Sequence, residues 1–185
     1  MKNKAILWCL ICCLWLTGCQ PKRAPNSINV QVQRIVSGHT IEVFDPTRQP
    51  SRSDRVRLIG IEAPDLKQHP WGAAAKARLE QILSESTDQQ LVLTPAILEP
   101  DLKREQDSSG RWPAYVWRND VLVNEQLVKE GYALAAPRAP NNKYDYRLAR
   151  AQEYARIMGY GIWNPAQPMR LTPAEFRQLP ANINP

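Results

Sequence analysis

Apolar and polar positions alternate from Ile28 to Val36, with Ile28, Val30 and Val32 in step and Ile35 one place out. Alternation of period two predicts a strand, and the slip near Arg34 predicts a bulge. Ser37-Gly38-His39 supplies turn residues and Thr40-Ile-Glu-Val-Phe44 alternates again, so a hairpin is expected. Residues 45 to 54 carry two prolines and no period, which reads as a loop. A third strand opens Arg55-Val-Arg-Leu-Ile-Gly-Ile-Glu-Ala-Pro-Asp65. Strand geometry puts Val56 and Leu58 on one face and Arg55, Arg57, Ile59 and Ile61 on the other. Pro64 ends it, because proline lacks the ladder donor and restricts the residue before it.

The period then changes. Ala75, Leu79, Ile82 and Leu83 recur at helical spacing after Pro70, so residues 70 to 83 read as a helix. Gln90 to Ala96 reads as a fourth strand, the polar stretch Glu99 to Ser109 as a loop, and Gly110 to Trp117 as a fifth strand with Pro113 near an edge. Val123, Leu127 and Val128 share one helical face ahead of Gly131. A last helix presents Tyr144, Leu148, Ala151, Ala155 and Met158, and Gly159 and Gly161 stop it. The tail, 165 to 185, holds five prolines and reads as irregular. The expected fold class is mainly β with helices: a five-stranded OB-type β-barrel carrying three α-helices, over residues 28 to 164.

The first residues have another purpose. Lys2 and Lys4 precede an unbroken apolar run from Ala5 to Leu16, too short for a membrane span and suited to a secretory signal. Leu16-Thr17-Gly18-Cys19 resembles the bacterial lipobox, which implies removal of residues 1–18 and lipidation of Cys19. Residues 19–27 then form a polar tether, and the protein is expected to be exported and lipid-anchored to the cell envelope, at the outer membrane or the outer face of the plasma membrane. All four cysteines lie at or before Cys19, which excludes a disulfide framework and a thiolate metal site in the domain. The formal charge of +6 drops to +4 without Lys2 and Lys4, a mildly basic balance that suits a polyanionic partner.

Glu62 and Asp65 sit where the third strand leaves the sheet, a few residues from Arg57. Carboxylates that hold a metal or activate water, beside an arginine that can fork onto phosphate, are the parts of phosphodiester chemistry.

Six segments in order then resemble the staphylococcal-nuclease-like (thermonuclease) family. They are Val36-Ser-Gly-His-Thr-Ile41, Val56 to Asp65, Pro70-Trp-Gly72, Asp107 to Arg111 with Ala114 to Trp117, Val123 to Val128 with Gly131 to Ala133, and Gly161-Ile-Trp163. The resemblance implies an OB-type barrel hydrolysing DNA and RNA with Ca²⁺, which two aspartates and a backbone carbonyl hold. It also implies a glutamate that activates water and two arginines on the phosphate, here Arg57 and Arg111.

The acidic positions depart from the family pattern. His39 stands for a metal-ligand aspartate, Glu62 for the second one, Ala63 for the threonine that lends its carbonyl, and Asp65 for the catalytic glutamate. Imidazole suits Mn²⁺, Zn²⁺, Ni²⁺ or Co²⁺ better than the oxygen-seeking Ca²⁺. Arg138 is expected to offer a further phosphate contact, and His69 reads as a surface residue before the helix. The expected partners are DNA or RNA and, through the lipid, a membrane, with the domain acting as a monomer. Three functions stay open: an active nuclease with an altered metal site, a non-catalytic nucleic-acid-binding domain that keeps the arginines, and a structural or protein-binding lipoprotein.

Overall fold

The computed structural model describes residues 26–49, 52–87, 90–100 and 105–180. The signal segment and Cys19 lie outside the described residues. β1 (Ile28–Ser37) and β2 (Thr40–Phe44) form the expected hairpin, with register shifts at Val32/Arg34 and Ile35/Ser37 that confirm the bulge. The bulge lets Val30, Val32 and Ile35 all face the core despite the break in alternation. β3 (Ser53–Leu58) pairs antiparallel with β2.

Val56 and Leu58 are buried as the alternation requires, but the alternation does not run on to Ile61. Gly60 takes φ +73 in a turn after Leu58, and Ile59 and Ile61 on either side of it are both buried. Only a residue free of Cβ strain fits that turn cheaply. It resets the face, so that β4 (Ile61–Glu62) pairs with β10 (Leu134–Ala135).

The fourth barrel strand is displaced from the expected one. Residues Gln90–Leu93 form β6, which pairs back on β5 (Ser84–Thr87) as a separate hairpin, and the barrel strand is β7 (Pro95–Pro100). The chain breaks between them at Thr94, whose N–H and hydroxyl both donate to the Leu83 carbonyl, at 2.9 and 3.0 Å. Glu99, expected in a loop, therefore sits in a strand and is buried. Its carboxylate accepts from Trp117 Nε1 (3.2 Å), Tyr144 OH (2.8 Å) and Lys143 Nζ. A buried charge is tolerated when it is paired and hydrogen-bonded in this way.

β7 pairs with β1 and with β8 (Trp112–Arg118), and a parallel pairing of β3 with β8 closes the five strands into a barrel. β9 (Val121–Leu122) adds a short edge to β8.

α1 (Trp71–Ile82) buries Gly72, Ala75, Leu79 and Ile82 against the barrel. α2 (Val123–Lys129) buries Val123, Leu127 and Val128, and Gly131 follows at φ +74. α3 (Asp145–Met158) buries Leu148, Ala151 and Ala155, whereas Met158 is exposed, and Gly159 caps it at φ +65. These are the three helices expected.

A fourth, α4 (Pro173–Gln178), lies in the tail read as irregular. Thr172 and Glu175 form a reciprocal capping box with Pro173 inside the first turn, and Pro173 and Phe176 are buried. Among the described residues, no helix is long and apolar enough to cross a membrane.

Candidate active site

The β1–β2 turn is narrow for a steric reason. A Cβ on Gly38 would lie 2.6 Å from Ala75 Cβ and 2.8 Å from Ala63 Cβ, so the turn packs directly onto α1 and the segment after β4. That seats His39 above the end of β3, where its carbonyl accepts from Leu58 N–H at 2.9 Å. Thr40 pairs across the ladder with Arg57, and Arg57 pairs with Pro113 of β8. The turn, Arg57 and the start of β8 therefore meet at one end of the barrel.

Arg111 enters this end already oriented. Asp107 Oδ1 accepts from the backbone N–H of Ser109 (2.9 Å) and of Arg111 (3.0 Å), while Oδ2 accepts Arg111 Nε at 2.8 Å. Arg111 Nη2 lies 2.8 Å from the same oxygen, and Nη1 reaches Thr40 Oγ1 at 3.4 Å. Burial works to raise the Asp107 carboxyl, but the bonds from Arg111 and Ser109 outweigh it and take the group below its usual value. Arg57 is half-buried, and no carboxylate among the described residues makes an ion pair with it. Burial, then the neighbouring Arg111 and Arg138, lower its affinity for its proton, with Glu62 and Asp107 opposing. A half-buried guanidinium without an ion-pair partner is a ready site for an anion. Arg138 is exposed, and with Arg57 it lines a cleft of about 200 Å³ shared with Asp107, Pro113 and Asn141.

His39 is held as a neutral ring. Ala63 N–H donates to its Nδ1 at 3.2 Å, which assigns the ring proton to Nε2. Burial, then the guanidiniums of Arg57, Arg111 and Arg177, push its pKa from 6.5 down to about 3, with Asp65 opposing. Asp65 accepts Lys67 N–H at 3.0 Å, and its carbonyl packs so closely on Gly72 that a Cβ there would come within 1.9 Å. Glu62 is taken up differently: its Oε1 accepts from Arg177 Nη2 of α4.

His39, Arg57, Glu62, Ala63, Asp65 and Arg111 are thus brought to one end of the barrel, and Arg138 to its margin. The role of Asp107 as the holder of Arg111 and the arrival of Arg177 were not foreseen. Thr172-Pro-Ala-Glu175 carried the signal for the helix that delivers Arg177, a Ser/Thr-x-x-Glu box with proline at the first helical position.

The calcium implied by the resemblance does not fit these residues. Ca²⁺ takes six to eight oxygens. Here the Nδ1 lone pair of His39 is engaged, its Nε2 is a donor, and Glu62 is paired with Arg177. Among the described residues, no three His, Cys, Asp or Glu side chains converge closely enough to hold a metal ion. The arrangement presents donors and positive charge, which is the chemistry of an anion site.

Comparison with known proteins agrees with the geometry at the family level. Residues 55–165 match the family described as staphylococcal nuclease homologue. The chain is 33% identical over 144 residues to the thermonuclease of Staphylococcus hyicus, covering 75% of this chain and 78% of that protein. It is 35% identical over 137 residues to the thermonuclease of Staphylococcus intermedius, covering 71% and 74%. Endonuclease YncB of Bacillus subtilis (strain 168) is 28% identical over 149 residues, covering 77% and 65%.

Proposed function

This chain belongs to the staphylococcal nuclease family, and from that premise we propose that it is a nuclease acting on nucleic-acid phosphodiesters, held by Arg57 and Arg111. Family membership implies a nucleic-acid substrate, and members of the family generally use a divalent metal. The observation that carries the reading is the placement of Arg57, unpaired among the described residues, beside Arg111, which Asp107 pins in position. Two forked guanidiniums at one phosphate bind its oxygens and stabilise the charge that develops on them during cleavage. Arg138 extends the contact to a neighbouring phosphate, and Asp65 is the group that takes a proton from the attacking water. Asp65 is one methylene shorter than the glutamate it replaces, and a misplacement of about 1 Å costs on the order of 100-fold. Slow cleavage is expected.

A second reading, nucleic-acid binding without hydrolysis, is favoured by the pairing of Glu62 with Arg177 and by the donor tautomer of His39. One assay separates the two. Plasmid and RNA are digested in EDTA and in Ca²⁺, Mn²⁺, Co²⁺, Ni²⁺ or Zn²⁺, and products are resolved on a gel. Cleavage that disappears in the Arg57→Ala variant supports the nuclease. Binding without cleavage in every condition supports the second reading.

A further inference from the structure

α4 lies beyond the residues that match the family, yet it is docked rather than loose. Met169 N–H donates to the Ile162 carbonyl at 2.9 Å, and Gln68 Nε2 donates to the Leu171 carbonyl at 2.6 Å. Phe176 is buried, and with Leu171 and Arg170 it lines a groove shared with Lys67 and with Trp71 at the start of α1. The capping box fixes the direction of the helix, and so Arg177, next after Phe176, is carried over Glu62. Arg177, Arg57 and Arg111 all lie near enough to act electrostatically on His39.

We propose that Arg177 is a third phosphate-binding residue, and that its guanidinium supplies the positive charge which the family otherwise draws from a divalent cation. The inference rests on the phosphodiester reading given above. Glu62 serves here as the anchor of Arg177 and not as a metal ligand. A guanidinium has five N–H donors in a fixed fork, and the bond from Nη2 to Glu62 leaves Nε and Nη1 able to meet a phosphate oxygen. His39, with its proton on Nε2, adds a donor of its own at this end of the barrel. The site thereby binds the phosphodiester of a single-stranded nucleic acid without metal.

The test measures fluorescence anisotropy of a fluorescein-labelled single-stranded DNA in EDTA across a salt series. Wild type is expected to bind in EDTA. Arg177→Ala should weaken binding roughly tenfold, as loss of one charge-assisted bond does. It should also flatten the slope of log K against log salt by about 0.7, one phosphate contact on a single strand. Arg177→Lys should recover part of the loss. Arg170→Ala removes the same charge from the same tail and should change binding by less than about twofold.

The Arg177 side chain is 45% exposed, so thermal melts should match wild type. Arg177→Gln, which keeps the stem, serves as the second variant if the alanine form is unstable. Equal or tighter binding by folded Arg177→Ala or Arg177→Gln overturns the inference, tighter binding marking Arg177 as a cover over Glu62. If Arg57→Ala with Arg111→Ala abolishes binding while the Arg177 variants do not weaken it, only the role of Arg177 falls. If wild type binds only when a divalent metal replaces EDTA, the metal-free inference falls alone. If it shows no salt-dependent binding in EDTA or in any metal of the digestion assay, the phosphodiester reading falls with it.

Discussion

Arg111 differs from the other arginines of the site in how little freedom it has left. Asp107 takes two of its nitrogens and two backbone donors, so the guanidinium is pre-oriented and loses little entropy when phosphate arrives. Arg111→Ala should therefore weaken oligonucleotide binding by about tenfold, and Asp107→Ala by a smaller factor through loss of orientation. Arg111→Lys should recover only part, because a point charge replaces a fork. Anisotropy titrations at fixed salt measure all three, and unchanged binding by Arg111→Ala would move the cradle elsewhere.

His39 makes a pH prediction at the same scale. Its folded pKa is about 3 against 6.5 when unperturbed, so between those values the unfolded chain holds the extra proton. Its contribution to stability is complete above pH 6.5 and is lost as pH falls toward 3, by up to about 1.4 kcal/mol per pH unit. Urea unfolding of wild type and His39→Gln across that window should show their difference in stability changing with pH below 6.5. A constant difference would contradict a neutral, buried imidazole.

Among the elements, α2 does more than cover the barrel. Asn124, fully buried on its first turn, accepts the Val116 N–H at 2.9 Å through Oδ1 and donates to the Ile59 carbonyl at 2.8 Å through Nδ2. It thus joins β8 to the turn that follows β3, across the closure of the barrel. Asn124→Ala leaves two buried backbone groups unpaired and should cost about 3 kcal/mol. Urea denaturation reads this directly, and a loss under about 1 kcal/mol would show that water replaces the amide. Helix-to-helix ties are of a different kind. Arg78 of α1 donates to Glu130, just past α2, through Nε (2.6 Å) and Nη2 (2.9 Å).

At the scale of the whole molecule the site faces one end of the barrel, with the tail helix folded back over it. The proposed lipid on Cys19 would hold the domain at a membrane through the tether of residues 19–27, leaving the arginines to meet nucleic acid outside the cytoplasm. Expressed in a bacterium, the wild-type protein should partition with membranes, and Cys19→Ser should lack the acyl mass in intact mass spectrometry. An unmodified Cys19 on the mature wild-type protein would remove the anchor from this picture.

Hydrophobic period by itself determined most of the barrel, the three core helices and the position of Arg57 on a strand. Those choices are local: two residues per repeat in a strand and 3.6 in a helix are written into neighbouring positions. The bulge near Arg34 was legible for the same reason. What tertiary structure alone decided depends on partners far along the chain. Glu99 reads as loop because a charge in a strand is costly, and it becomes strand because Trp117, Lys143 and Tyr144 arrive to bond it. The fourth strand moved because Thr94 bonds Leu83 across the base of a hairpin. At the candidate site, the motifs singled out arginines that the fold brings to one end of the barrel, but the tautomer of His39 follows from the Ala63 N–H, 24 positions away. The pairing of Glu62 with Arg177 spans 115 positions. No local pattern encodes which cation will reach a carboxylate, because that depends on where the tail helix packs, and the packing of Phe176 settles it.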